Sequence, residues 1–78
     1  MLTRMVDMNG YFAKQTMDER GRIVKESYPM TSEGKWMSET EATTFEYEYE
    51  NEDRTPIRYR HRGWTEGCFW TDWEDYRD

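Results

Sequence analysis

Along most of this chain, apolar and polar residues alternate with the two-residue period of a β-strand, and the alternating runs are separated by turn residues. The first break is Asn9-Gly10, a pair that favours the two-residue hairpin turn with both central residues at positive φ. Centring a turn there sets Met8 opposite Tyr11, Val6 opposite Ala13 and Leu2 opposite Met17 on one face, with Arg4 opposite Gln15 as the polar exception. Thr3, Met5, Asp7, Phe12, Lys14 and Thr16 fall on the other face. A second break, Asp18-Glu19-Arg20-Gly21, suits a type I turn followed by a bulge. The return strand then spans Arg22 to Met30, with Ile23 on the Met17 face, Lys14 opposite Glu26 and Phe12 opposite Tyr28. Pro29 closes the run.

The stretch from Thr16 to Lys25 resembles the hairpin of YD-repeat (rearrangement hot spot) proteins, in a single copy with Met17 where that family has Tyr, and reads as a shared turn solution. Residues 31–43 read as loop with a short strand at Lys35–Ser38 and a loop or helical turn over Glu39–Thr43. Gly34 and the many Ser and Thr residues oppose a long helix. The most regular pattern follows. Phe45-Glu46-Tyr47-Glu48-Tyr49-Glu50 alternates aromatic with acidic, and Ile57-Arg58-Tyr59-Arg60-His61-Arg62 alternates with arginine. The intervening Asn51–Pro56 is turn material. Pairing Glu50 with Arg58, Glu48 with Arg60 and Glu46 with Arg62 gives one face of ion pairs and one aromatic face. A register shift of two residues preserves that logic, whereas a shift of one sets carboxylates against rings. In the tail, Cys68–Trp70 reads as a last strand. Thr71 with Glu74 three residues on matches a capping box, which predicts a short C-terminal helical turn carrying Trp70, Trp73 and Tyr76 on one face. The expected architecture is mostly β: a small antiparallel meander of about five or six strands, as a bent sheet or a small barrel.

Length and composition narrow this further. Seventy-eight residues allow a single domain, 1–78, with a thin core. One cysteine, Cys68, excludes an internal disulfide. Cys68 and His61 are the only soft ligands, so a metal centre of the usual kind is not expected, nor is a cofactor. The chain opens at Met1 without the apolar core of a signal peptide and reads as a complete gene product. No apolar run approaches membrane-spanning length. With a lone cysteine this points to a reducing, cytoplasmic setting.

Catalysis finds little support. His61 with Cys68 is the only pair suggesting a nucleophile, and nothing in the spacing supplies an orienting group or an oxyanion hole. Among seventeen acids some pair always lies close, so paired carboxylates read as solvated charge. The net charge of −6 directs the chain toward basic surfaces and away from nucleic acid and anionic membranes. Seven acids and no base lie between Glu39 and Asp53, and five acids with only Arg77 between Glu66 and Asp78. The expected function is therefore non-enzymatic binding of a protein partner with a basic surface. Glu39, Glu41, Glu46, Glu48, Glu50, Glu52, Asp53, Asp72, Glu74 and Asp75 are the candidate acidic contacts. Trp64, Trp70, Trp73 and Tyr76 are the aromatic candidates, a cluster that suits a partner surface, a homodimer or a covering flap. This tiny, acidic, aromatic, motif-free profile resembles the accessory proteins of phages and mobile elements, including anti-CRISPR and anti-restriction proteins. That resemblance implies an inhibitor occupying the basic groove of a nucleic-acid-handling or defence protein. The alternative is a small β-barrel module that binds nucleic acid or peptide through the arginine/aromatic strip at 57–64, less favoured because of the net charge.

Overall fold

A computed structural model describes residues 2–8, 11–31 and 33–76. Six antiparallel strands form one sheet in sequence order: β1 (Leu2–Met8), β2 (Tyr11–Met17), β3 (Ile23–Tyr28), β4 (Thr43–Glu48), β5 (Arg58–Arg62) and β6 (Glu74–Asp75). The sheet is an open meander with β1 and β6 as its edges, so the barrel alternative is not realised.

Between β1 and β2 the register is the expected one, Leu2 opposite Met17, Val6 opposite Ala13 and Met8 opposite Tyr11. The Asn9-Gly10 turn itself lies outside the described residues. Asp18–Gly21 closes as a turn. The Gly21 amide donates to the Asp18 carbonyl at 3.1 Å, and Gly21 takes φ 76°, a left-handed conformation suited to glycine. A bulge sits farther along, at Val24 inside β3: Met17 faces Ile23, but Thr16 already faces Lys25. This extra residue shifts every later pair by one. Lys14 faces Ser27 where Glu26 was expected, Gln15 faces Glu26, and Phe12 and Tyr28 lie on opposite faces. Phe12 stacks on Trp36 in the β3–β4 loop, with ring centroids 6.1 Å apart. The short strand expected at Lys35–Ser38 is reduced to one bridge, Met30 with Trp36.

The β4–β5 hairpin adopts the expected logic two residues out of the first-choice register. Glu48 faces Arg58, Glu46 faces Arg60, Tyr47 faces Tyr59 and Phe45 faces His61. The tail departs from expectation. Cys68–Trp70 is not a strand, and the C-terminal helical turn does not form. The only 3-10 helix among the described residues is Trp64–Glu66, and a single helical turn closes at Ser38–Ala42, where the Ala42 amide donates to the Ser38 carbonyl at 2.9 Å. Thr71 is not a cap, because its backbone N–H donates to the His61 carbonyl and its Oγ1 accepts from the His61 N–H. These bonds hold the tail extended along β5. An extended chain inverts side chains every residue, so Trp73 and Tyr76 emerge on opposite faces of the sheet.

The core is as thin as the length implies. Among the described residues, Ala13, Met17, Ala42 and Pro56 are buried apolar side chains, accompanied by Gln15 and Thr44. Residues 29–42 pack over part of the charged face of the sheet, and Thr44, 1% exposed, lies beneath them.

Candidate functional site

The two faces of the sheet have different chemistry because the sequence alternates. On the charged face, Arg58 and Glu48 form a forked pair with contacts down to 2.7 Å, and Arg60 Nη2 meets Glu46 Oε1 at 2.6 Å. Tail tryptophans slot between these arginines. The Arg62 guanidinium lies 4.5 Å from the Trp70 ring, Arg60 lies 4.5 Å from Trp70 and 4.8 Å from Trp73, and Arg58 lies 5.1 Å from Trp73. The result is an interleaved stack, Arg62–Trp70–Arg60–Trp73–Arg58, whose cations face the negative ring faces. Trp70 and Trp73 therefore act as a covering flap on this face.

The other face carries Tyr28 from β3, Phe45 and Tyr47 from β4, Tyr59 and His61 from β5, and Tyr76 beyond β6. Their rings form a continuous chain of contacts: Tyr28 edge-on to Phe45, Phe45 beside Tyr47 and His61, Tyr59 beside His61, and Tyr76 edge-on to both Tyr47 and Tyr59. Every one of these ring contacts is made within the sheet or with Tyr76. The first five rings stay half-buried and Tyr76 is exposed. A hydrogen-bond chain fixes one border. Arg4 Nε donates to Gln15 Oε1 at 3.1 Å, Gln15 Nε2 donates to Glu26 Oε2 at 2.7 Å, and the Tyr28 hydroxyl donates to Glu26 Oε1 at 2.6 Å. Burial pushes the Tyr28 and Tyr47 phenols up to about 12, and the Glu26 carboxylate adds to both shifts. At the other border His61 Nδ1 meets Glu66 Oε1 at 2.6 Å, and its Nε2 lies 3.9 Å from Glu74 Oε2. The Thr65 hydroxyl, and then His61, hold the Glu66 carboxyl below its usual value. The face thus presents six rings bordered by Glu26, Glu66 and Glu74.

The sequence-predicted site residues are dispersed. Glu46 and Glu48 are engaged by arginines. Glu39 lies 3.5 Å from Lys25, and Glu41 accepts from Ser38. Glu50, Glu52 and Asp53 occupy the β4–β5 turn, where Arg20 meets Glu52 at 2.7 Å and Arg22 Nη1 donates to the Asn51 and Asp53 carbonyls, so bases are mixed among the acids. Asp72, Glu74 and Asp75 line the β6 edge. Of the aromatic candidates, only Tyr76 joins the ring face. Trp64 is 69% exposed on the β5–β6 connection, near Phe69 at 77%. Tyr28, Phe45 and Tyr47 are absent from the sequence-derived set, and Tyr59 and His61 enter it only through the alternative strip at 57–64, although the strict alternation at 45–50 and 57–62 is the signal that collects four of the five.

His61 hydrogen-bonds to Glu66, and no hydrogen bond joins it to Cys68 among the described residues. Those residues also contain no group of three His, Cys, Asp or Glu that could hold a metal ion. No helix among them is long and apolar enough to cross a membrane. No protein-family model, characterised protein or solved structure matches the chain.

Proposed function

We propose that this is a non-enzymatic binding protein that docks a basic protein surface onto the aromatic face of its sheet. One observation carries the reading: six mutually packed rings remain open to solvent beside the carboxylates of Glu26, Glu66 and Glu74. Lysine and arginine side chains suit such a surface, since rings attract their cations through the quadrupole and the carboxylates supply charge-assisted bonds. Tyrosine-rich surfaces also give contact area at low entropic cost. The net charge of −6 favours a basic partner over a second copy, because a twofold dimer would bring two equally negative faces together. A basic groove of a nucleic-acid-handling protein is the finer version of this reading, which makes the protein an inhibitor of the phage-accessory kind.

The nucleic-acid or peptide strip at 57–64 has less support. Arg58, Arg60 and Arg62 project to the face opposite Tyr59 and His61, where Trp70 and Trp73 slot between them, so these cations are turned away from the rings that alternate with them along the strip.

The test is capture of partners from nuclease-treated host lysate by the wild-type protein and by Tyr59→Ala and Tyr76→Ala, with circular dichroism confirming the fold of each. A basic protein retained by wild type and lost by both variants supports the proposal. Partners that vanish with nuclease, or that bind the variants equally well, overturn it.

A further inference from the structure

The charged face holds a second concavity, away from the ring face. Its residues run straight across the sheet: Lys14 on β2 faces Ser27 on β3, Ser27 faces Thr44 on β4, and Thr44 faces Arg62 on β5. This row is cation, hydroxyl, hydroxyl, cation, with no carboxylate in it. The adjacent row, Thr16, Lys25, Glu46, Arg60, has a carboxylate between its two cations. The loop after β3 passes over both rows and leaves a cavity of about 260 Å³, into which Lys14, Lys25, Thr16 and Ser27 contribute, over which Met37 and Ala42 form an apolar wall, and at which Glu39 is the one carboxylate among the described residues.

The cations here are undersupplied with partners, which is unusual in a chain of net charge −6. Lys14 makes no ion pair among the described residues. The carboxylate facing Lys25 across the strands, Glu46, is taken by Arg60 at 2.6 Å, so Lys25 is left with Glu39 at 3.5 Å, and the Glu39 side chain is 78% exposed. An exposed pair at that distance contributes little. At the end of the row, Arg62 Nε is buried without a hydrogen-bond partner among the described residues. Thr44 Oγ1 already donates to the Ala42 carbonyl, so Thr44 shapes the floor and leaves donation to the lysines and Ser27.

We propose that this cavity binds the phosphoryl group of a small molecule. Two ammonium groups and a hydroxyl donate to its oxygens, Arg62 adds positive charge one strand beyond Thr44, and the Met37 wall accepts an organic substituent. The volume suits a phosphoryl group with a small substituent and excludes a polymer.

The test is a titration of the full chain with inorganic phosphate and with glycerol phosphate, read by amide proton–nitrogen correlation spectra at constant ionic strength with chloride as the balancing anion. Saturable shifts at Ser27 and Thr44 are expected. Lys14→Gln and Lys25→Gln should each weaken binding about tenfold, the scale of one charge-assisted bond. Glu39→Gln should tighten binding, whereas Glu52→Gln, an equal charge change at the far turn, should leave it unchanged. Tighter binding of glycerol phosphate identifies an ester as the ligand type, and the reverse order identifies free phosphate. Non-saturable shifts, undiminished binding in the lysine variants, or equal effects of the two glutamate variants would overturn the proposal.

Discussion

Gly21 closes the β2–β3 turn at φ 76°, and nothing lies within 4 Å of where its Cβ would stand. The cost of Gly21→Ala is thus purely conformational, about 1 kcal/mol in a denaturant-unfolding experiment. Asp18 accounts for the rest of the turn: its carboxylate accepts from the Arg20 and Arg22 amides and pairs with Arg22 Nε at 2.8 Å. On the ring face the informative residues are Tyr28 and Tyr47, whose phenols rise from 10.0 to about 12 chiefly through burial. A raised pKa means that the native state keeps protons that the unfolded chain has released. The stability these phenols contribute is fully present below pH 10.0 and is lost as the pH climbs to about 12. Urea midpoints should therefore fall over that interval, in step with a late phenolate absorbance change. Tyr28→Phe should remove part of the fall. Phenols that titrate near 10.0 would mean that the rings are solvated and not mutually packed.

At the scale of elements, the β5–tail unit depends on interleaving more than on backbone pairing, since β6 contributes only Glu74 and Asp75 to the sheet. Trp73→Ala removes two cation–ring contacts, each worth about 0.5–1 kcal/mol at exposed sites, and the apolar area beneath them. A loss of roughly 2 kcal/mol is expected, and a double-mutant cycle with Arg60→Ala should return a coupling on the order of 0.5–1 kcal/mol. Because Tyr76 lies three residues on in the same tail, the same substitution should weaken partner binding, although Trp73 lies on the opposite face. Strand pairing was legible in the sequence wherever alternation was strict: β1 with β2, and β4 with β5 as one of two equivalent registers. The turn at Asp18–Gly21 was legible, but the bulge at Val24 inside β3 was not, because one inserted residue leaves the local pattern intact while moving every partner beyond it. The tail misled because Thr71 and Glu74 carry a local helix signal that is overridden by the bonds of Thr71 to His61. The ring face was visible as alternation. Whether anything covers it depends on the path of the two long connections, which local pattern does not encode.

For the whole molecule, area and charge point the same way. The accessible surface is 5739 Å², against roughly 5,100 Å² for a compact monomer of this mass. On the proposed function, covering the open face of this thin sheet adds apolar burial, so partner binding should raise the thermal midpoint as well as occupy the rings. The division of labour between charge and rings is separable by kinetics. The acid surplus acts at a distance and is screened, because the Debye length shrinks from ~10 Å at 0.1 M salt to ~3 Å at 1 M. Added salt should slow association several-fold while leaving dissociation nearly constant. Tyr59→Ala should do the opposite, speeding dissociation at an unchanged association rate, because ring contacts form only after encounter. Reversal of Asp72 and Asp75, acids in and beside β6 that do not border the ring face, should reproduce the effect of salt. Reversal of Glu46 and Glu48 should instead lower stability, since those carboxylates balance arginines within the sheet. If association proves indifferent to both salt and the β6 reversals, the negative charge serves solubility alone and the rings carry recognition without steering.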